Sequence, residues 1–397
     1  MKKLVTLLLA LCMCILSATA CTQQTDTPAG QVEKSSGQIE ETSNQTSGLT
    51  GTADKAAEKG TRVIVDQAGN EVEIPVDIER VVITSIWPLP SVYVLFQGSA
   101  DKLVGMHPAS LSAAKYSMLT KVAPEIKDVE TGFIQNGEIN VEELIKLDPD
   151  VVFYSASNTV EKEILEKAGI PAVGFSTSIA KFNTVETVNQ WVQQLGVIFN
   201  EEDKAKGITE YGNEVYTEIQ SRLKSVGEKD KPRVLILFKY SDTQFQTSGS
   251  NFFGQYWCEA SGAINVASGL SGMVDINMEQ VYEWNPDIIY ITNFSQYMPE
   301  DLFANKALEG HDWSGVKAVK EKKVYKYPLG MYRWFPPSSD SPLCLWFLAK
   351  TNHPELFKDI DLEQKVKEYY EKFYKIKLTD GEVNTIFHPA REGADGV

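Results

Sequence analysis

From Thr61 onward, short runs of β-branched and aromatic residues alternate with amphipathic stretches. Arg62–Asp66 and Glu71–Ile74 flank Gly69-Asn70 and predict a small hairpin. Val81–Thr84 predicts a buried strand, Val92–Phe96 a helix ending near Gly98, and Leu103–Met106 the next strand. Val141–Leu147 predicts a helix, Val151–Tyr154 a strand, Ile164–Lys167 a helix, and Pro171-Ala172-Val173 opens another strand. Continuous apolar strands alternating with helices indicate a parallel sheet covered on both faces.

Thr184–Val197 predicts a helix, and Asn200 reads as the cap of a longer one. Ile208, Val215, Ile219, Leu223 and Val226 recur at near-helical spacing. A helix over Glu202–Val226 would be about 37 Å long at ~1.5 Å per residue, although Gly207 and Gly212 weaken it. The α/β rhythm then restarts. Val234–Phe238, Ile288–Ile291 and Lys323–Tyr327 predict strands; Phe253–Ser261, Met278–Glu283, Pro342–Lys350 and Leu362–Tyr374 predict helices.

One segment recurs. Ile139–Phe153 realigns without gaps on Ile276–Tyr290, keeping Ile139/Ile276, Asn140/Asn277, Glu142/Glu279, Pro149/Pro286 and Asp150/Asp287. Each copy is a helix, a Pro-Asp turn and a buried strand, with Pro ending the helix and fixing the turn. Two copies imply two similar α/β lobes joined through the long helical stretch.

The first sixty residues follow no such rhythm. Lys2 and Lys3 precede an apolar run, Leu4–Leu16, that is too short to span a ~30 Å hydrocarbon core and fits a signal peptide. Ser17-Ala18-Thr19-Ala20 leads directly into Cys21, an arrangement similar to a lipoprotein cleavage box, with Ala18 where Leu is usual. Thr22 to about Gly60 is rich in Ser, Thr, Gln, Gly and Glu and has no aromatic residue. Such a segment buries too little apolar surface to offset ordering entropy and reads as a flexible tether. Cleavage would remove Cys12 and Cys14, and acylation would block Cys21. Cys258 and Cys344 are then expected to be small buried hydrophobes rather than a disulfide. The expected organisation is a signal peptide over 1–20, lipidated Cys21 and tether over 21–60, a first lobe over 61–180, an interlobe helical segment over 181–230, a second lobe over 231–378 and a tail over 379–397.

The chain has 397 residues, with 43% hydrophobic and 23% charged, a normal globular balance. Its formal charge of −16 becomes −18 once Lys2 and Lys3 are lost. No basic field for nucleic acid exists.

Enzyme signatures are missing. There is no phosphate loop, no G-x-G-x-x-G after a strand, no G-x-S-x-G and no H-E-x-x-H. His107, His311, His353 and His388 are dispersed. No catalytic residues, metal site or cofactor are expected.

Aromatic residues gather instead at predicted strand-to-helix junctions: Trp87 with Pro88 and Pro90, Phe133, Tyr154, Tyr240, Phe252, and Tyr332 with Trp334. In open α/β sheets, ligands bind beyond the carboxyl ends of the strands. Two lobes with aromatic loop tips would enclose a large cleft. Arg333, between Tyr332 and Trp334, is suited to pairing bidentately with a carboxylate or oxyanion, or to stacking on Trp334. His107, between a strand and Pro108, is a candidate haem or cobalt ligand or a hydrogen-bonded loop histidine. Trp87, His107, Phe133, Tyr154, Tyr240, Phe252, Tyr332, Arg333 and Trp334 are thus the candidate ligand-binding residues.

The cleavage box, the Asn-x-Glu…Pro-Asp repeat, the long helix and the stretch Ser338-Ser339-Asp340-Ser341-Pro342-Leu343…His353-Pro354-Glu355-Leu356-Phe357 together resemble the substrate-binding lipoproteins of ABC importers for iron-siderophores, haem and corrinoids. The resemblance covers about residues 61–378. It implies an α/β fold with two Rossmann-like lobes bridged by a long α-helix, as in class III periplasmic binding proteins. It implies a monomer held by Cys21 on the outer face of the cytoplasmic membrane. The implied cargo is a metal chelate, delivered to an ABC permease dimer with its ATPase. It assigns Glu142 and Glu279, one per lobe, to docking on that permease. The sequence departs from zinc- and manganese-binding relatives, which place several histidines in the cleft. A smaller branch binds molybdate or tungstate, and Arg333 with backbone amides would suit that.

Overall fold

The computed structural model describes residues 60–394. The signal peptide, Cys21 and nearly all of the tether lie outside the described residues. No described helix is long and apolar enough to cross a membrane.

Four strands, Val81–Ile83, Leu103–Met106, Val151–Ser155 and Ala172–Phe175, make a wholly parallel sheet. The order across it runs from Leu103–Met106 through Val81–Ile83 and Val151–Ser155 to Ala172–Phe175. Every residue of Val81–Ile83 and of Ala172–Phe175 is buried, as a sheet covered on both faces requires. The predicted hairpin pairs Thr61–Val65 with Glu71–Pro75. It is fastened to the sheet where Asp66 Oδ2 accepts from Gly174 N at 2.9 Å.

The second sheet is mixed. Arg233–Tyr240 pairs in parallel with Ile288–Ile291, which pairs in parallel with Val324–Lys326. On its other side, Phe245–Ser248 and then Met273–Asp275 add antiparallel strands. These two carry neither a continuous apolar run nor a clean alternation, so the sequence pattern does not reveal them.

Two helices connect the sheets, Thr184–Phe199 and Glu202–Leu223, packed side by side. Asn200 does not cap the second helix. It closes the first in the left-handed conformation, φ 55°, with its N–H on Gly196 O and Val197 O; Asn accepts this geometry where most residues do not. The second helix, about 33 Å long at ~1.5 Å per residue, stops at Leu223, short of Val226. Ala205, Thr209, Gly212, Val215, Ile219 and Leu223 form its buried stripe. Gly212 helps the pairing: a Cβ there would lie 3.3 Å from both Asn189 Oδ1 and Val185 Cγ1.

Both copies of the repeat begin with a capping Asn. Asn140 Oδ1 accepts from Glu143 N at 3.2 Å, and Asn277 Oδ1 from Gln280 N at 2.9 Å. Cys258 and Cys344 are buried free thiols. The segment expected as a tail is ordered over its described part. It forms the helix Asp380–Phe387, whose start carries a capping box between Thr379 and Glu382, and the turn Arg391–Ala394.

Candidate functional site

Each sheet presents a hollow at the carboxyl ends of its parallel strands. In the first lobe the hollow holds about 420 Å³, with Thr84, Ser85, Trp87, His107, Asn158 and Glu161 on its walls. Thr84, Ser85, His107 and Asn158 each come one to three residues after a strand ends.

His107 caps the helix Pro108–Lys115, its Nδ1 accepting from Ala109 N at 3.1 Å. The neutral tautomer that this bond selects carries its proton on Nε2. Burial lowers the ring's pKa to about 4, so it is neutral at pH 7. The Trp87 ring lies 4.9 Å from it, and Ser110 Oγ donates to Trp87 O at 2.9 Å. Below them Glu161 is buried. Burial raises its pKa, while Ser85, Thr84 and Asn158 oppose the rise by hydrogen bonding to its carboxyl group. No lysine or arginine lines this hollow.

The second lobe's hollow holds about 470 Å³, with Lys239, Tyr240, Asp242, Phe294, Tyr297 and Arg391 on its walls. Tyr240 offers its ring, because its hydroxyl is engaged behind, with Trp313 Nε1 donating to it at 2.9 Å and His311 Nδ1 at 3.0 Å. Two cations sit beneath. The Arg333 guanidinium is buried 5.0 Å from the Phe294 ring. Lys326 Nζ donates to the carbonyls of Thr292, Ser295 and Tyr297, one acceptor per ammonium hydrogen. Burial, followed by Arg391, pulls the Lys326 pKa down to about 7. The helix that begins after His107 packs against the turn Arg391–Ala394, and Arg391 and Ala394 line the second hollow. The two hollows therefore adjoin as halves of one cleft.

Of the residues singled out by sequence, Trp87, His107 and Tyr240 line this cleft, with Arg333 directly behind it. Tyr332 is buried under Arg333, its hydroxyl 3.4 Å from Arg333 Nη1. The other four lie elsewhere. Phe133 and Tyr154 belong to a core with Val82, Leu144 and Val152; alternation along Val151–Ser155 sends Tyr154 to the same face as Val152. Trp334 is fully buried against Phe347 and Phe387. Phe252 packs on Phe182, Phe238 and Phe253 and borders a separate cavity of about 590 Å³ beside the connecting helices. Sequence reasoning passed over Ser85, Asn158 and Glu161. Their signal was position, just beyond a predicted parallel strand. Glu142 and Glu279 are exposed, each second in its helix after the capping Asn. Among the described residues, no three His, Cys, Asp or Glu side chains come together as a metal site.

A family model described as periplasmic binding protein matches residues 81–329. The chain is 26% identical over 338 residues to the molybdate-binding protein MolA of Haemophilus influenzae, covering 79% of this chain and 91% of that one. It is also 26% identical over 191 residues to the haem uptake protein IsdE of Staphylococcus aureus, covering 47% of this chain and 63% of IsdE. The crystal structure of a periplasmic solute binding protein from Veillonella parvula superposes with a TM-score of 0.74 at 30% identity, covering 83% of this chain and 97% of that one.

Proposed function

The chain belongs to the periplasmic binding protein family, and from that premise we propose that it captures a metal chelate, an iron-siderophore, haem or corrinoid, and hands it to an ABC permease. It does so without catalysis, as a monomer tethered through a lipid on Cys21 to the outer face of the cytoplasmic membrane. The observation that carries the ligand class is the pair of aromatic-walled half-sites. Trp87 beside His107 faces one side of the cleft, and Tyr240, Phe294 and Tyr297 face the other. Their volumes, about 420 and 470 Å³, lie within the ~300–1,000 Å³ of small-molecule pockets. Flat apolar walls suit a bulky chelate.

Charge supports the same reading. The second lobe sets Arg333 and Lys326 beneath its wall, whereas the first holds the carboxyl group of Glu161 and no cation. A chelate with anionic groups at one end and donors at the other fits this asymmetry.

A molybdate- or tungstate-type oxyanion is the second reading. It is favoured by the similarity to MolA, by the His107 Nε2 proton and by Arg333. Glu161 counts against a small dianion held by both lobes. Calorimetric titration with haemin, ferric siderophores, cobalamin and sodium molybdate separates the readings. Saturable binding of one chelate, with none of molybdate, is the expected result; the reverse selects the oxyanion.

A further inference from the structure

The carbonyl oxygen of Gly393 accepts from Arg333 Nε at 3.3 Å and from Nη2 at 3.1 Å. Both residues are buried. Only glycine allows this approach easily, because a Cβ at Gly393 would lie 2.9 Å from Leu329 Cδ2. Arg391 anchors the same turn with a fork onto Asp301, at 2.6 and 2.9 Å, and a bond to Gln296 O at 3.2 Å. The turn also packs against the helix Pro108–Lys115 of the other lobe. Four residues near the chain's end thus touch both lobes and cover one edge of a buried guanidinium.

A carbonyl is a modest partner for a permanent cation. Hydrogen bonds between guanidinium and an ionised oxygen are roughly twice as strong as neutral ones, and the two-bond geometry here is the one a carboxylate uses. We propose that the turn Arg391–Ala394 is a built-in clasp, seated on Arg333 until an anionic group of the ligand displaces it. The inference rests on reading the cleft as the ligand site, and it adds a competitor from within the chain. A binding protein whose competent form is only fractionally populated binds more weakly in proportion. A clasp seated about nine-tenths of the time would weaken binding roughly tenfold.

The test uses the mature chain, its Arg391→Ala variant and a chain ending at Ala390. Arg391→Ala removes the anchor without touching Arg333, and its thermal melting confirms that it remains folded. Two readouts are taken: the rate at which phenylglyoxal modifies Arg333, followed by peptide mass mapping, and calorimetric affinity for sodium molybdate and ferric citrate as anionic probes. Both variants should expose Arg333, with modification roughly tenfold faster, and should bind any responsive anion roughly tenfold more tightly. Equal protection of Arg333 in all three proteins overturns the clasp, whatever the anions do. Exposed Arg333 with unchanged or weaker binding overturns the competition. Exposed Arg333 with neither anion bound by any form upholds the clasp and counts instead against an anion-binding cleft.

Discussion

Asp150 and Asp287 fasten the leading strands of their two sheets in the same way. Asp150 Oδ2 accepts from the backbone N–H of Glu79 at 2.7 Å and of Arg80 at 2.9 Å; Asp287 Oδ2 accepts from Arg233 N at 2.8 Å. Each Asp N–H also donates, at 2.8 Å, to the carbonyl of the arginine opposite it. Those arginines reach back to the helix ends, Arg80 Nε to Leu147 O at 2.8 Å and Arg233 Nη2 to Trp284 O at 3.1 Å. The Pro-Asp repeat is therefore a fastening used twice. Asp150→Ala leaves two backbone donors without their acceptor and should cost about 1–2 kcal/mol in urea unfolding, with Asp150→Asn recovering part of it. An unchanged midpoint would show the fastening to be idle.

Asp340 lies fully buried and holds Met331 N, with Tyr370 Oη at 3.4 Å. Burial raises its pKa to about 7. Between its unfolded value near 3.8 and 7, the folded chain keeps a proton that the unfolded chain has released. This group's contribution is thus fully present below pH ~3.8 and is lost as pH rises through 7. Chemical denaturation across pH 4–7 should show a less pH-dependent stability in Asp340→Asn than in the parent. Identical slopes would exclude Asp340 as their source.

The two tryptophans near the ends of the aromatic loops should behave oppositely. Trp87 is half-buried on the cleft wall, so Trp87→Ala should weaken chelate binding by about 1 kcal/mol or more with little effect on melting. Trp334 is fully buried. Trp334→Ala should destabilise the fold by about 3–5 kcal/mol. Calorimetry and melting curves for both variants distinguish the roles; ligand loss confined to Trp334→Ala would reverse the assignment.

Glu142 and Glu279 sit at equivalent exposed positions on the two lobes. As docking groups for a two-fold permease, they should be needed for uptake and not for capture. The double variant Glu142→Ala with Glu279→Ala should lose uptake in cells while its ligand titration stays unchanged. Normal uptake would remove both from the docking surface.

The sequence displayed the skeleton through burial. Runs such as Val81–Ile83 and Ile288–Ile291 are apolar because both faces of their strands are covered, and the repeat exposed two lobes because the fastening chemistry is the same in each. Antiparallel additions such as Phe245–Ser248 depend on neighbours distant in the chain, so no local period marks them. The cleft was legible only in part. Trp87, His107 and Tyr240 stood out as aromatic rings after strands. The same signal also drew in Trp334 and Tyr154, because an aromatic at a strand end packs inward as readily as outward. Glu161 looked like any helix carboxylate until the fold buried it beside Thr84. The engagement of Arg333 with Gly393 spans sixty residues and follows from no local pattern.

The account stands or falls on what the cleft carries. Native mass spectrometry and visible absorption of the protein purified from its own host, without added ligand, read this directly. The predicted result is one bound chelate per chain, with a visible band from its metal and a mass matching a siderophore complex, haem or corrinoid. Bound molybdate or tungstate, with no visible band, would contradict it.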